Sequence, residues 1–245
     1  MSEERARLRP PSPALFALEG RAWFEFAALV PALPFLARAP RGDGHPVLVL
    51  PGWLASDFST RALRWFLRDR GYHAHGWRLG RNMGATPEIV SGLGRRFVAL
   101  RERHGRKLTL IGWSLGGIYA RELARRFPDD VRQVITLASP FRDVSATLVA
   151  RLRRNGGDRH GNLAAPLSVP TTAIYSRTDG IVAWQSCLAD DGPLSENVEV
   201  MSSHCGMGHH PGVLLVIADR LSQAEGGWRP YAARASAPRR ALSVV

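Results

Sequence analysis

A chain of 245 residues with 24 glycines, 17 prolines and 45% apolar composition has the length for one globular domain with a sizeable core, which excludes a peptide, a fibre or a tandem array. Its 33 basic and 21 acidic side chains leave a net charge of +12, which invites a reading as a nucleic-acid or anionic-membrane binder. The distribution of the cations argues against nucleic acid. Lys107 is the only lysine, and the arginines are scattered along the chain, on presumed helix faces such as Arg121, Arg125 and Arg126 and in the tails. Zinc-finger spacing, a basic heptad region and the aromatic-basic motif of RNA readers are missing. Two cysteines, Cys187 and Cys205, exclude a disulfide framework and a four-cysteine zinc site but leave one bridge between them open. No uncharged apolar run is long enough to span a bilayer. The first apolar run follows acids and Pro10, Pro11 and Pro13, a poor secretory signal, so a soluble cytoplasmic protein is expected.

In chain order, residues 1–40 form an N-terminal helical extension. Between Ala14 and Ala37 a helical wheel puts Leu15, Leu18, Ala22, Phe26, Leu29 and Leu33 on one face and Phe24 opposite, with breaks expected at Pro31 and Pro34. This helix either packs on the body or serves as a hydrophobic flap or monotopic membrane foot. From residue 41 short apolar runs alternate with helical periodicity. Strands are predicted over Val47–Leu50, His73–Trp77, Leu108–Gly112, Val134–Ala138, Thr172–Ser176 and Val198–Met201, and helices over Thr60–Arg70, Pro87–His104, Leu115–Phe127 and Pro211–Ser222. The pattern is α/β, a doubly wound, mostly parallel sheet over 41–222 with a short lid or insert at 140–169 and a tail at 223–245. Ligands of such sheets sit at the carboxyl ends of the strands, so chemistry is sought just after each apolar run.

There the sequence Gly112-Trp-Ser114-Leu-Gly116-Gly117 fits a sharp strand-to-helix turn. Such a turn strains the backbone at the serine, and glycines two residues to either side remove side chains that would clash. A serine needs a base. Among the histidines after Ser114, His160 lies in a polar loop and His209 and His210 stand against Pro211 at a helix start, whereas His204 follows the last strand. A zinc cluster of His204, Cys205 and His209 lacks a fourth ligand, and no metal is expected. Asp179, after the preceding strand and before Gly180, is the orienting acid, with Asp143 as fallback; Asp190, Asp191 and Asp219 read as solvated charges. The backbone N–H groups of Leu115 and Trp53 are the expected oxyanion donors.

These residues resemble the α/β-hydrolase superfamily, and within it the compact bacterial serine lipases and esterases, over about residues 45–222. The likeness rests on Leu50-Pro-Gly-Trp53, the elbow at Gly112–Gly117, Ser176-Arg-Thr-Asp-Gly-Ile-Val182 and Ser203-His-Cys-Gly-Met207. It implies an α/β-hydrolase fold, a cofactor-free mechanism, a triad of Ser114, Asp179 and His204, and an oxyanion hole of Trp53 and Leu115. Two features depart from the pattern: Pro51 stands where many relatives have histidine, and about 30 residues between Ser139 and Pro170 are too few for a large cap. Leu54, Trp113, Phe141 and Met207 flank the site loops and are candidates for an apolar acyl pocket, while Arg81 and Asn82 are candidates for a polar substrate end. The expected function is hydrolysis of a small-molecule or lipid carboxylic ester. An acyltransferase on the same triad and a silent hydrolase-like binding protein are the alternatives. Peripheral contact with anionic lipid remains the one partner that the net charge suggests.

Overall fold

The computed structural model describes residues 8–143 and 163–231. His160, most of the predicted insert (144–162) and the end of the predicted tail (232–245) lie outside the described residues. Among the described residues six strands make one parallel sheet: β1 (Pro46–Leu50), β2 (His73–Gly76), β3 (Leu108–Trp113), β4 (Val131–Leu137), β5 (Thr171–Tyr175) and β6 (Ser195–Glu199). The order is β2-β1-β3-β4-β5-β6. β1, β4 and β5 are buried along their whole length, so they read as continuous apolar runs rather than alternating ones. Only Val198 is buried in the edge strand β6. An edge strand with one buried residue has no apolar run to mark it, and the predicted Val198–Met201 is shifted: Met201 lies past the strand, exposed.

Helices cover both faces. Leu48 and Leu50 of β1 point into a core made with α5 (Pro87–His104) and α6 (Leu115–Arg126), and Val47 and Val49 point into the opposite core with α4 (Arg61–Asp69) and α7 (Pro211–Leu221). Local chemistry sets the helix ends. Thr86 accepts a hydrogen bond from the Ile89 N–H ahead of Pro87, and Gly105 closes α5 at φ +61°. Among the described residues no helix is long and apolar enough to cross a membrane. The chain leaves β1 for β2 and returns on the other side at β3, so the reversal of strand order falls between the carboxyl ends of β1 and β3.

The N-terminal segment departs from the predicted single helix. It is α1 (Pro13–Ala17), a 3₁₀ turn at Leu18–Arg21, α2 (Ala22–Ala27) and α3 (Leu29–Ala37), with Pro31 and Pro34 inside α3 rather than at its breaks. Pro31 sits in the first turn, where an N–H has no helical partner to lose. The predicted apolar face is only partly covered. Leu15, Ala22 and Leu29 are half-buried, Leu29 against the core made with α4 and α7. Leu18, Phe26 and Leu33 are exposed, and the fully buried side chains are Glu19 and Leu36.

Arginine burial also corrects the helix-face reading. Arg121 is fully buried, donating to the carbonyls of Leu163 (2.6 Å) and Ala165 (2.7 Å) and lying 4.4 Å over the Phe141 ring. Burial pulls its guanidinium down to about 10. At the amino end of the sheet, Asp43 Oδ1 meets His45 Nδ1 at 2.6 Å, and His45 Nε2 meets Thr109 Oγ1 at 2.9 Å. Burial outweighs Asp43 there and pulls the imidazole down to about 4 from its ordinary 6.5. The folded state therefore favours neutral His45, and that stabilisation is present above about 6.5 and fades as pH falls toward 4. Urea unfolding of wild type and His45→Asn between pH 7 and 4.5 tests this. The variant is less stable at pH 7 and shows a shallower loss on acidification; equal pH slopes contradict the assignment.

Candidate active site

Among the described residues four non-glycine ones adopt positive φ, and each lies just past the carboxyl end of a different strand: Leu54 (+59°) after β1, Arg78 (+60°) after β2, Ser114 (+53°) after β3 and Ala138 (+46°) after β4. Strain of about 1–3 kcal/mol per residue survives only where packing fixes the backbone. At Ser114 the packing is backbone against backbone. A Cβ on Gly112 would stand 2.3 Å from the Gly116 carbonyl oxygen, and one on Gly116 would stand 2.3 Å from that of Leu50. One on Gly52 would approach Ser114 Cβ to 3.2 Å. Glycines thus let the loop after β1 and the start of α6 close around the half-buried serine, whose N–H donates to the Leu137 carbonyl (2.8 Å). Leu115, the first residue of α6, follows at the positive end of the helix.

Asn82 holds the loop after β1. Its Nδ2 donates to the Pro51 carbonyl (2.9 Å), its carbonyl accepts from the Leu54 N–H (2.7 Å), and its Oδ1 accepts from the Tyr119 hydroxyl (3.2 Å) and the Gly84 N–H (3.2 Å). This fully buried amide is committed within the protein, where it positions Pro51–Leu54. Phe141 and Met207 are likewise core residues, one beneath Arg121 and the other in the core shared with α4 and α7. Leu54 and Arg81 are exposed, and Trp53 and Trp113 are half-buried.

Asp179 and His204, from the loops after β5 and β6, meet at 2.7 Å between Oδ2 and Nδ1, both buried. Asp179 Oδ1 accepts from the N–H groups of Ile181 (2.8 Å) and Val182 (2.7 Å), so both carboxylate oxygens are committed. Burial alone would lower the His204 imidazole, but the Asp179 carboxylate, with Glu19 behind it, holds it above its ordinary value. The elbow is tied to this loop through Trp113, whose Nε1 donates to the His204 carbonyl (3.1 Å). His210 caps α7 and His209 contacts the Ala22 carbonyl (3.0 Å), so neither belongs to the couple. Asp190 pairs with Arg142, and Asp219 with buried Arg220. Cys187 and Cys205 are both free thiols, the first buried and the second exposed, which closes the open question of a bridge.

Three residues that sequence reasoning missed come from the N-terminal segment. Glu19 Oε1 accepts from the N–H groups of Gly180 (2.8 Å) and His204 (2.9 Å), and Oε2 accepts from that of Cys205 (2.9 Å). Arg21 donates to the Thr178 carbonyl (2.7 Å) and hydroxyl (2.8 Å). Glu25 accepts from the Ser203 N–H (2.8 Å) and hydroxyl (2.6 Å). Two carboxylates in an otherwise apolar helical stretch, with Arg21 as the lone cation between them, were the available signal. Gly180 packs so closely under α1 that a Cβ there would reach 2.3 Å from the Leu15 carbonyl oxygen.

No protein-family sequence model matches the chain, and no curated protein matches it in sequence. Solved structures match its fold. The lipase B of Aspergillus fumigatus superposes with a TM-score of 0.55 at 18% identity, over 76% of this chain and 54% of that one. The mature lipase BlEst2 of Bacillus licheniformis gives 0.55 at 15% identity, over 76% and 95%. Mouse alpha/beta hydrolase domain-containing protein 10 gives 0.54 at 16% identity, over 75% and 92%. The chain spans about half the length of the Aspergillus lipase. Its fold is the α/β-hydrolase fold.

Removing the Glu19 carboxylate strands three backbone N–H donors under the N-terminal segment. At about 1–3 kcal/mol per stranded donor, less what entering water recovers, Glu19→Ala is expected to lose about 3 kcal/mol. Urea unfolding measures the loss, and amide exchange at Gly180, His204 and Cys205 is expected to quicken. Unchanged stability and exchange would contradict the contacts.

Proposed function

We propose that the protein hydrolyses carboxylic esters through an acyl-enzyme on Ser114. His204 takes the hydroxyl proton as Ser114 Oγ attacks the ester carbonyl, and the negative charge gathers on the former carbonyl oxygen, facing the N–H groups of Trp53 and Leu115. The tetrahedral adduct collapses as His204 gives its proton to the leaving alcohol. Water, deprotonated by His204, then releases the acid and restores the serine. Asp179 keeps the proton on Nδ1, so that Nε2 is free to act as base, and stabilises the imidazolium.

The observation that carries this reading is the buried Asp179–His204 couple tied through Trp113 to a strained serine at the strand-order reversal. Solved neighbours named as lipases and as lipolytic enzymes agree with an ester substrate. The exposed Leu54 and half-buried Trp53 and Trp113 favour an apolar acyl chain.

A p-nitrophenyl ester series of increasing acyl length, run with and without added alcohol, tests the proposal. Turnover to free acid with a medium-chain preference is expected, and acyl transfer to the alcohol as the main product would assign a transferase instead. Ser114→Ala and His204→Ala should each lower kcat/KM at least about a thousand-fold. Because the base must be neutral, kcat/KM should fall on the acid side with an apparent pKa above 6.5. Near-native turnover in either variant, or an acid limb below that value, contradicts the roles assigned.

A further inference from the structure

The N-terminal segment has two sides of opposite character. Of the 16 large apolar side chains exposed among the described residues, half lie between Phe16 and Phe35. Trp23 is 80% exposed, Phe24 78%, Val30 71% and Phe35 64%. Scattered exposed apolar residues need no explanation, but eight within twenty positions mark a surface that something covers. The ionic groups are sorted the other way. Glu19 and Glu25 are the only carboxylates between residues 8 and 42, and both are spent on the acid and base loops, with Arg21 between them. The exposed charges nearest the apolar stretch are cations, Arg9 before it and Arg38 and Arg41 after it, and Asp43 beyond them is paired with His45, Arg106 and Arg132.

We propose that residues 13–37 are a docking element for an anionic bilayer surface. Aromatic and aliphatic side chains enter the boundary between headgroups and acyl chains, and the flanking guanidiniums meet anionic headgroups. Charge argues against a second copy as the occupant. Self-pairing of this face would bring Arg9, Arg38 and Arg41 against their own duplicates, on chains that each carry +12. The same segment is bonded to Thr178, Gly180, Ser203, His204 and Cys205, so a docked segment seats the acid and base loops directly behind the lipid contact.

The test is co-sedimentation with vesicles, which needs no turnover and so separates this proposal from ester hydrolysis. Vesicles of phosphatidylcholine alone and of phosphatidylcholine with 30% phosphatidylglycerol, a composition of about the anionic content that gives appreciable surface potential, are mixed with the full chain. Wild type is expected to partition at least ten-fold more strongly to the anionic vesicles and to be released by high salt. Trp23→Gln/Phe24→Gln/Phe35→Gln, which removes only exposed side chains, should lose at least ten-fold of that partitioning and keep wild-type thermal stability and wild-type turnover of a soluble short-chain ester. Failure of wild type to bind anionic vesicles, equal binding by the triple variant, or equal binding to neutral vesicles would overturn the proposal. So would a wild-type dimer in sedimentation velocity that the variant abolishes, because a second copy would then be the occupant.

Discussion

The close approach of three backbone segments around Ser114 is the constraint on which the rest of the site depends. The end of β1, the end of β3 and the first turn of α6 meet where any side chain on Gly112 or Gly116 would collide with a carbonyl. Only a chain without Cβ atoms at those points can turn from strand to helix so abruptly, and the turn holds the serine at φ +53°. Parallel strand order then sets the neighbours. With β4 and β5 on one side and β1 on the other, the loops after β1, β5 and β6 all open at the end of the sheet where Ser114 stands.

Holding those loops is a matter of buried polar groups, each with several partners. Asn82 fixes the loop after β1, Asp179 is closed by two N–H groups and one imidazole, and Glu19 spans the loops after β5 and β6 with three bonds. Such groups are costly to bury alone and specific when fully bonded. The N-terminal segment thus belongs to the site's support, although it carries half of the large apolar side chains exposed among the described residues. Two His–Asp couples in one chain show how surroundings divide their roles. His45, enclosed at the amino end of the sheet with arginines nearby, is pulled down to about 4, whereas His204 is held above its ordinary value by Asp179 and Glu19.

Much of this was legible in the sequence because strong local signals and tertiary structure agree. Buried parallel strands leave continuous apolar runs, Pro87 and Pro211 mark helix starts, and the glycines around Ser114 announce the turn. What escaped was the direction in which a side chain points. Asn82, Phe141 and Met207 follow or flank strands in the right places for substrate contact, yet each is turned into the body, where its partners come from distant segments. Arg121 read as a solvated helix residue because nothing local reveals that residues 163–165 cover it. Glu19 and Glu25 escaped for the converse reason. Apolar periodicity suggested that the oil alone faces inward, whereas beside the apolar contact of Leu36 with the core the segment also buries carboxylates that meet backbone N–H groups some 160 to 190 residues away.

The proposed function makes the strained serine a nucleophile activated by His204 and Asp179. A fluorophosphonate probe, reacted with the folded protein and mapped by peptide mass spectrometry, tests it most directly. The account predicts a single adduct on Ser114 that is lost in His204→Ala and in protein unfolded before exposure. Labelling at another residue, or no labelling of the folded protein, would contradict it.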